Sequence, residues 1–121
     1  RRAAQQPRNP VFIGGDIHQN WVANVHARPY DIASPVVGSE FCGTSITSGT
    51  STSPQRAAQL AGENPHCLLN NVEKRGYGMV DVQPRRTTVR LRVLDDVADP
   101  ASGAQTLAAF AVEDGRPGIG R

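Results

Sequence analysis

The sequence predicts an α/β chain built mostly of short β-strands with one or two short helices, and three observations carry that prediction. An apolar run, Val11-Phe12-Ile13, stands between Pro10 and the pair Gly14-Gly15, the pattern of a buried strand. Val89, Leu91 and Val93 alternate with Arg90 and Arg92, so that strand has one buried and one solvated face. Ser53-Pro54 opens the segment with the clearest helix start, Ser as N-cap and Pro at the first helical position.

The first of these stretches organises the rest. After its two glycines the chain delivers Asp16-Ile17-His18, then Gln19-Asn20 and the only Trp, Trp21. In α/β sheets ligands bind just beyond the carboxyl ends of strands, which is where Asp16 and His18 fall. If the backbone stays extended there, residues two apart point to the same side with Cα atoms about 7 Å apart. A carboxylate and an imidazole so placed can converge on one metal or touch two neighbouring ones. Val11 to Gly15 is expected to be an interior strand, with glycines that leave the approach uncrowded.

Taken in order, Arg1 to Arg8 reads as the tail of a helix whose body lies upstream, broken by Pro7 and Asn9-Pro10. With no initiator Met and no signal peptide, the true beginning is expected to lie before Arg1. Val22 to His26 suggests a short helical turn, with Asn20 or Asn24 capping it or meeting a ligand. His26, in loop-like surroundings next to Arg28-Pro29-Tyr30, is expected to face solvent. Ser34 to Gly43 is a strand candidate. Thr44 to Ser53, with eight Ser or Thr in ten residues, is a flexible linker or a loop beside a site.

Ala57, Ala58, Leu60 and Ala61 give the helix after Ser53 one apolar side, and Gly62 is a fitting stop. Leu68 to Asn71 makes a short strand and turn. Gly76 to Val82 and Thr87 to Leu94 form a hairpin around Gln83-Pro84-Arg85-Arg86, with Arg90 and Arg92 on its polar side. Asp95 to Gln105 is a loop, Thr106 to Asp114 a last strand, and Gly115 to Gly118 a turn. There is no internal repeat.

The length leaves room for one domain. A net charge of +2, from 13 Lys+Arg against 11 Asp+Glu, is too mild to argue for nucleic-acid or membrane partners. No apolar run is long enough for a transmembrane helix. Cys42 and Cys67 form no C-x-x-C. They can pair in an oxidising compartment, donate to a metal or stay as buried thiols. The last is favoured, because free Cys commonly behaves as a small buried hydrophobe.

Several motifs in order resemble one family. Gly15-Asp16-Ile17-His18 with Asn20-Trp21 looks like the late metal motif of alkaline phosphatase D (PhoD-like) proteins, a branch of the calcineurin-like metallophosphoesterases. Glu40 to Gly49, Asn64-Pro65-His66, Arg75-Gly76-Tyr77 and Glu113 to Gly118 complete the pattern, which runs from about Arg8 onward. Leu69, where an aromatic is usual, is a small departure that touches packing. The resemblance implies that residues 1–121 are the C-terminal portion of one catalytic domain, a four-layer α/β/β/α sandwich. It also implies hydrolysis of phosphate mono- or diesters at a site containing iron and calcium, with other divalent metals as alternatives. Export to the periplasm, cell surface or medium of a bacterium belongs to the same expectation.

On that resemblance Asp16 and His18 take the late metal-ligand positions. Asn20 and Trp21 neighbour the site, and His66 orients a ligand or loop from behind. Asp16 supplies negative charge, and His18 binds as neutral imidazole and falls away at acid pH. The family's early acidic, amide, Cys and Tyr ligands have no counterpart here, and Cys42 is not that early Cys. The missing upstream half is thus an implied partner, and the chain alone is expected to be inactive. A serine nucleophile from Thr44 to Ser53 is the rival enzyme mechanism, but no Gly-x-Ser-x-Gly elbow accompanies it. The alternative from a different class is a non-catalytic β-rich binding or structural module.

Overall fold

The structure is a computed structural model, and it describes residues 7–120. Its described residues form eight strands and one helix. In chain order these are β1 (Val11–Gly14), β2 (Asn20–His26), β3 (Val36–Cys42), α1 (Pro54–Glu63), β4 (Cys67–Asn71), β5 (Gly76–Gln83), β6 (Arg86–Leu94), β7 (Ala104–Glu113) and β8 (Arg116–Gly120). They build two four-stranded sheets, ordered β1-β3-β2-β4 and β5-β6-β7-β8. This is the expected α/β chain, mostly strands in two sheets with one short helix, which packs against β4. The expected helix tail at Arg1 to Arg8 lies outside the described residues, except for Pro7 and Arg8, which are not helical.

The two sheets meet through one apolar cluster. Val22 and Phe41 come from the first sheet, and Val89, Leu91, Phe110 and Val112 from the second. Phe41 and Phe110 meet across the interface at a tilt of 53°, with ring centroids 6.1 Å apart. The alternation read in β6 is realised: Val89, Leu91 and Val93 are buried, while Arg90 is exposed. Arg92 leans along the sheet, donating to Thr106 Oγ1 at 2.6 Å and the Ala104 carbonyl at 3.0 Å. Polar contacts join the sheets too, since Asn24 Oδ1 accepts from the Ile119 amide at 3.0 Å.

Helix α1 starts as its residues predict. Ser53 Oγ accepts from the Arg56 amide at 3.1 Å, and Pro54 occupies the first turn, where no amide partner is needed. The helix passes through Gly62 and ends at Glu63. Asn64 caps it by donating from Nδ2 to the Leu60 carbonyl at 2.7 Å, and Pro65 disfavours helix at the residue before it. Ala57 is the buried residue of its apolar side, above the Ala57 carbonyl's contact with Asn70 of β4.

Four expectations are corrected. Val22 to His26 is strand, not helical turn, because β2 is hydrogen-bonded on both sides, to β3 and to β4. Strand β1 is an edge strand among the described residues, paired in parallel with β3 alone, and Phe12 and Ile13 are exposed. Residues 116–120 are an eighth strand rather than a closing turn. Glu113 pairs with Arg116, and Gly118, at φ +105, lets the strand pass Val36 closely. His26 is half-buried, with Nδ1 2.9 Å from the Ser34 carbonyl, because the 27–35 loop folds back on it.

Candidate metal centre

Between β1 and β2 the backbone makes a compact loop, residues 15–19, at the carboxyl end of β1. The loop is not extended. The Ile17 amide donates to the Gly15 carbonyl at 3.0 Å, closing a γ-turn on Asp16, whose φ is 75°. His18 has φ 55°. These two and Tyr30 are the non-glycine residues with left-handed backbone among those described. The same-side rule for extended chain therefore does not apply to Asp16 and His18. Each left-handed residue of this kind costs about 1 kcal/mol or more and persists only where its surroundings fix it. Such residues concentrate at ligand sites.

Those surroundings come from the hydroxyl-rich loop of residues 43–53. His18 Nδ1 lies 2.9 Å from the Gly49 carbonyl. A carbonyl only accepts, so Nδ1 carries the hydrogen. In the neutral ring Nε2 then keeps its lone pair, and no described residue occupies it. Gln19 Nε2 donates to Thr52 Oγ1 at 2.9 Å, and Asn20 Oδ1 accepts from the Thr44 amide at 3.3 Å. The Thr44 to Ser53 segment is thus a tied loop beside the site, not a linker.

A residue that sequence reading used only as part of a motif lies at the centre of this arrangement. Arg75, at the foot of β5, is 6% exposed. Its Nη1 donates to the His18 carbonyl at 2.7 Å, Ser45 Oγ at 2.9 Å and the Ser48 carbonyl at 3.0 Å. Its Nη2 donates to the Val72 carbonyl at 2.6 Å. Its charge meets no carboxylate within ion-pair distance among the described residues. Nη1 has two hydrogens, so one of them is shared between two of its three acceptors. Hydrogen bonds from a charged donor contribute about 1.5–3 kcal/mol each, and this set offsets the burial of the guanidinium. The position 57 residues from His18 gave no spacing signal for this role.

The other candidates take separate places. Asp16 is exposed, and its carboxylate accepts no hydrogen bond among the described residues. Asn20 is fully buried and supports the loop from beneath. Trp21 is half-buried and meets His66 edge-on, ring centroids 6.3 Å apart. The His66 carbonyl accepts from the Asn24 amide, four residues and on the order of 13 Å along β2 from Asn20. His66 helps line a hollow of about 350 Å³ with His26, Tyr30, Glu40 and Glu63, away from the 15–19 loop. The structure brings His18, Gln19 and Asn20 together with residues 44–52, and His18 also with Arg75. It leaves the Asp16 carboxylate exposed and sets His66 apart, behind Trp21.

Cys42 donates weakly to the Gly15 carbonyl at 3.4 Å and is a free, buried thiol; Cys67 is free as well. Burial, with the Glu40 carboxylate next, pushes the Cys42 thiol up, so it is no ready thiolate ligand. The donor set suits a metal as far as it goes, with an imidazole oriented through its other nitrogen and an unpaired carboxylate two residues away. No group of three or more His, Cys, Asp or Glu that could hold a metal gathers among the described residues.

Comparison with known proteins bears on the chain's family and fold. The family model described as PhoD-like phosphatase matches residues 1–91. Alkaline phosphatase D of Bacillus subtilis (strain 168) is 35% identical over 113 residues, which is 92% of this chain and 19% of that protein. A solved structure described as the structure of PhoD superposes with a TM-score of 0.77 at 34% identity, covering 85% of this chain and 20% of that one. The chain spans about a fifth of the length of these relatives. With the family model matched over most of the chain and a solved member sharing its fold, the chain belongs to the PhoD-like phosphatase family.

Proposed function

We propose that Asp16 and His18 are ligands in a metal-dependent phosphoesterase that hydrolyses phosphate mono- or diesters, and that this chain is the C-terminal portion of its catalytic domain. The observation that carries the reading is the His18 ring, held through Nδ1 by the Gly49 carbonyl with Nε2 left free. Iron and calcium, or other divalent ions, would supply activation of the attacking water and neutralisation of phosphate charge. His18 offers a neutral nitrogen and Asp16 a negative oxygen, both on backbone fixed in a conformation that free chain avoids. Asn20 and Gln19 keep the 43–53 loop in place, and with it the carbonyl that sets the His18 tautomer. Trp21 and His66 serve packing behind the site.

On this reading the remaining ligands stand elsewhere in the polypeptide, and the 121-residue chain alone is inactive. Export from a bacterial cell belongs to the same proposal, supported by family membership. The described residues include no helix long and apolar enough to cross a membrane. The test compares the intact protein and the 121-residue chain on an aryl phosphate, each stripped of metal and then given iron and calcium. Metal-dependent turnover by the intact protein and none by the chain is the expected result. Turnover by the intact protein that ignores chelation would defeat the metal reading, and turnover by the short chain would defeat the divided site. No turnover by either would favour a non-catalytic module.

A further inference from the structure

We propose that Arg75 is a positioning residue for His18, fixing both the backbone and the ring of that ligand from the opposite sheet. One nitrogen, Nη1, reaches the His18 carbonyl and also the Ser48 carbonyl, the residue before Gly49. Gly49 in turn receives the His18 ring at Nδ1. The two ends of the ring's hydrogen bond, the His18 backbone and the 48–49 peptide, are therefore tied to a single guanidinium group. Ser45 closes the same knot, since its hydroxyl accepts from Nη1 and donates to the Ser48 carbonyl.

The knot is anchored rather than floating. The Gly76 amide donates to the Ser45 carbonyl at 3.0 Å, and the Leu94 amide to the Arg75 carbonyl at 2.9 Å. Through them Arg75 is fixed to the β5–β6 pair. A planar fork with donors on two nitrogens fits these carbonyls in a way a lysine ammonium does not. Because all four partners of the guanidinium are neutral, its burial answers no carboxylate, and what it gains is the geometry of two loops. Without it, His18 would lose the restraint on its left-handed backbone and the fixed tautomer that leaves Nε2 open.

This inference rests on the metal role proposed for His18, and the experiment separates the two. In the intact protein, Arg75→Met and Arg75→Lys are compared with wild type by three measurements. These are imidazole 15N spectra of the metal-free protein, iron and calcium retained against graded chelator, and kcat at saturating metal. Wild type should show one His18 tautomer, protonated at Nδ1. Arg75→Met should show a mixture and a metal affinity lowered about 10–100-fold, the range for residues behind a ligand. Its kcat should recover at saturating metal, and Arg75→Lys should fall between.

A folded Arg75→Met variant with wild-type spectrum and wild-type metal retention overturns the proposal. Should that variant fail to fold, Arg75→Lys carries the test with the charge kept. Failure of both to fold would assign Arg75 to the fold alone and overturn it as well. If His18→Ala leaves metal retention unchanged, the metal reading of His18 fails, while the tautomer spectra still decide whether Arg75 positions the ring.

Discussion

Arg75 Nη1 lies 2.7 Å from the carbonyl of His18, so a residue at the foot of the second sheet holds the backbone of a candidate ligand at the head of the first. The contact crosses the sandwich at its rim, where the loop after β1 meets the loop after β3. It explains how a left-handed histidine can be kept there without glycine.

Asp16 gives a prediction in which stability and function move apart. Asp16→Gly relieves the positive φ of the γ-turn and should leave stability equal or higher by roughly 1 kcal/mol, read by thermal unfolding. The same variant removes a candidate metal ligand, so metal retention and phosphatase turnover in the intact protein should fall sharply. A variant that is both less stable and fully active would contradict both halves.

The two histidines should behave differently. His18→Ala should abolish most turnover with the fold intact, because the ring is half-buried at a loop and belongs to no core cluster. His66→Ala removes an edge contact with Trp21, worth about 1 kcal/mol, and should lower the melting temperature with a smaller effect on rate. Kinetics on the intact protein alongside melting curves check the ranking, and a larger rate loss at His66 would reverse it.

Cys42 should resist modification in the folded protein. Burial first, then the Glu40 carboxylate, raises its pKa above the ordinary 9.0, against a lowering from the Ile17 backbone. Alkylation by iodoacetamide near pH 8.5 should therefore be slow until the protein is unfolded. The linked stability has a definite sign: the folded state holds its thiol proton more tightly, so this contribution is complete below pH 9.0 and is lost as pH rises beyond it. Denaturant melts of wild type and Cys42→Ala across alkaline pH should show the difference.

Gly76 tests the junction beneath Arg75. A Cβ there would stand 1.9 Å from the Arg92 carbonyl oxygen, a backbone atom that cannot step aside alone. Gly76→Ala should destabilise by about 3 kcal/mol, the upper part of the range for overpacking, and should loosen the Ser45 contact with it. An alanine variant that melts with wild type would mean that β5 shifts freely.

Features whose cause is local were legible in the residues alone. Ser53-Pro54 sets the start of α1 because a hydroxyl cap and a residue without an amide hydrogen are sufficient there. The period-two pattern of β6 names its buried face, and the ordered motifs name the family. Asp16 and His18 were visible as a pair after a strand and two glycines. The remaining features depend on partners distant in the chain. Val22 to His26 became strand through neighbours on both sides, and a Gly- and Pro-rich tail became β8 by pairing with β7. The free nitrogen of His18 depends on the Gly49 carbonyl, and the Arg75 knot joins residues 57 apart. A hydrogen bond between distant segments leaves no period in the sequence, since its geometry exists only once the two sheets have packed.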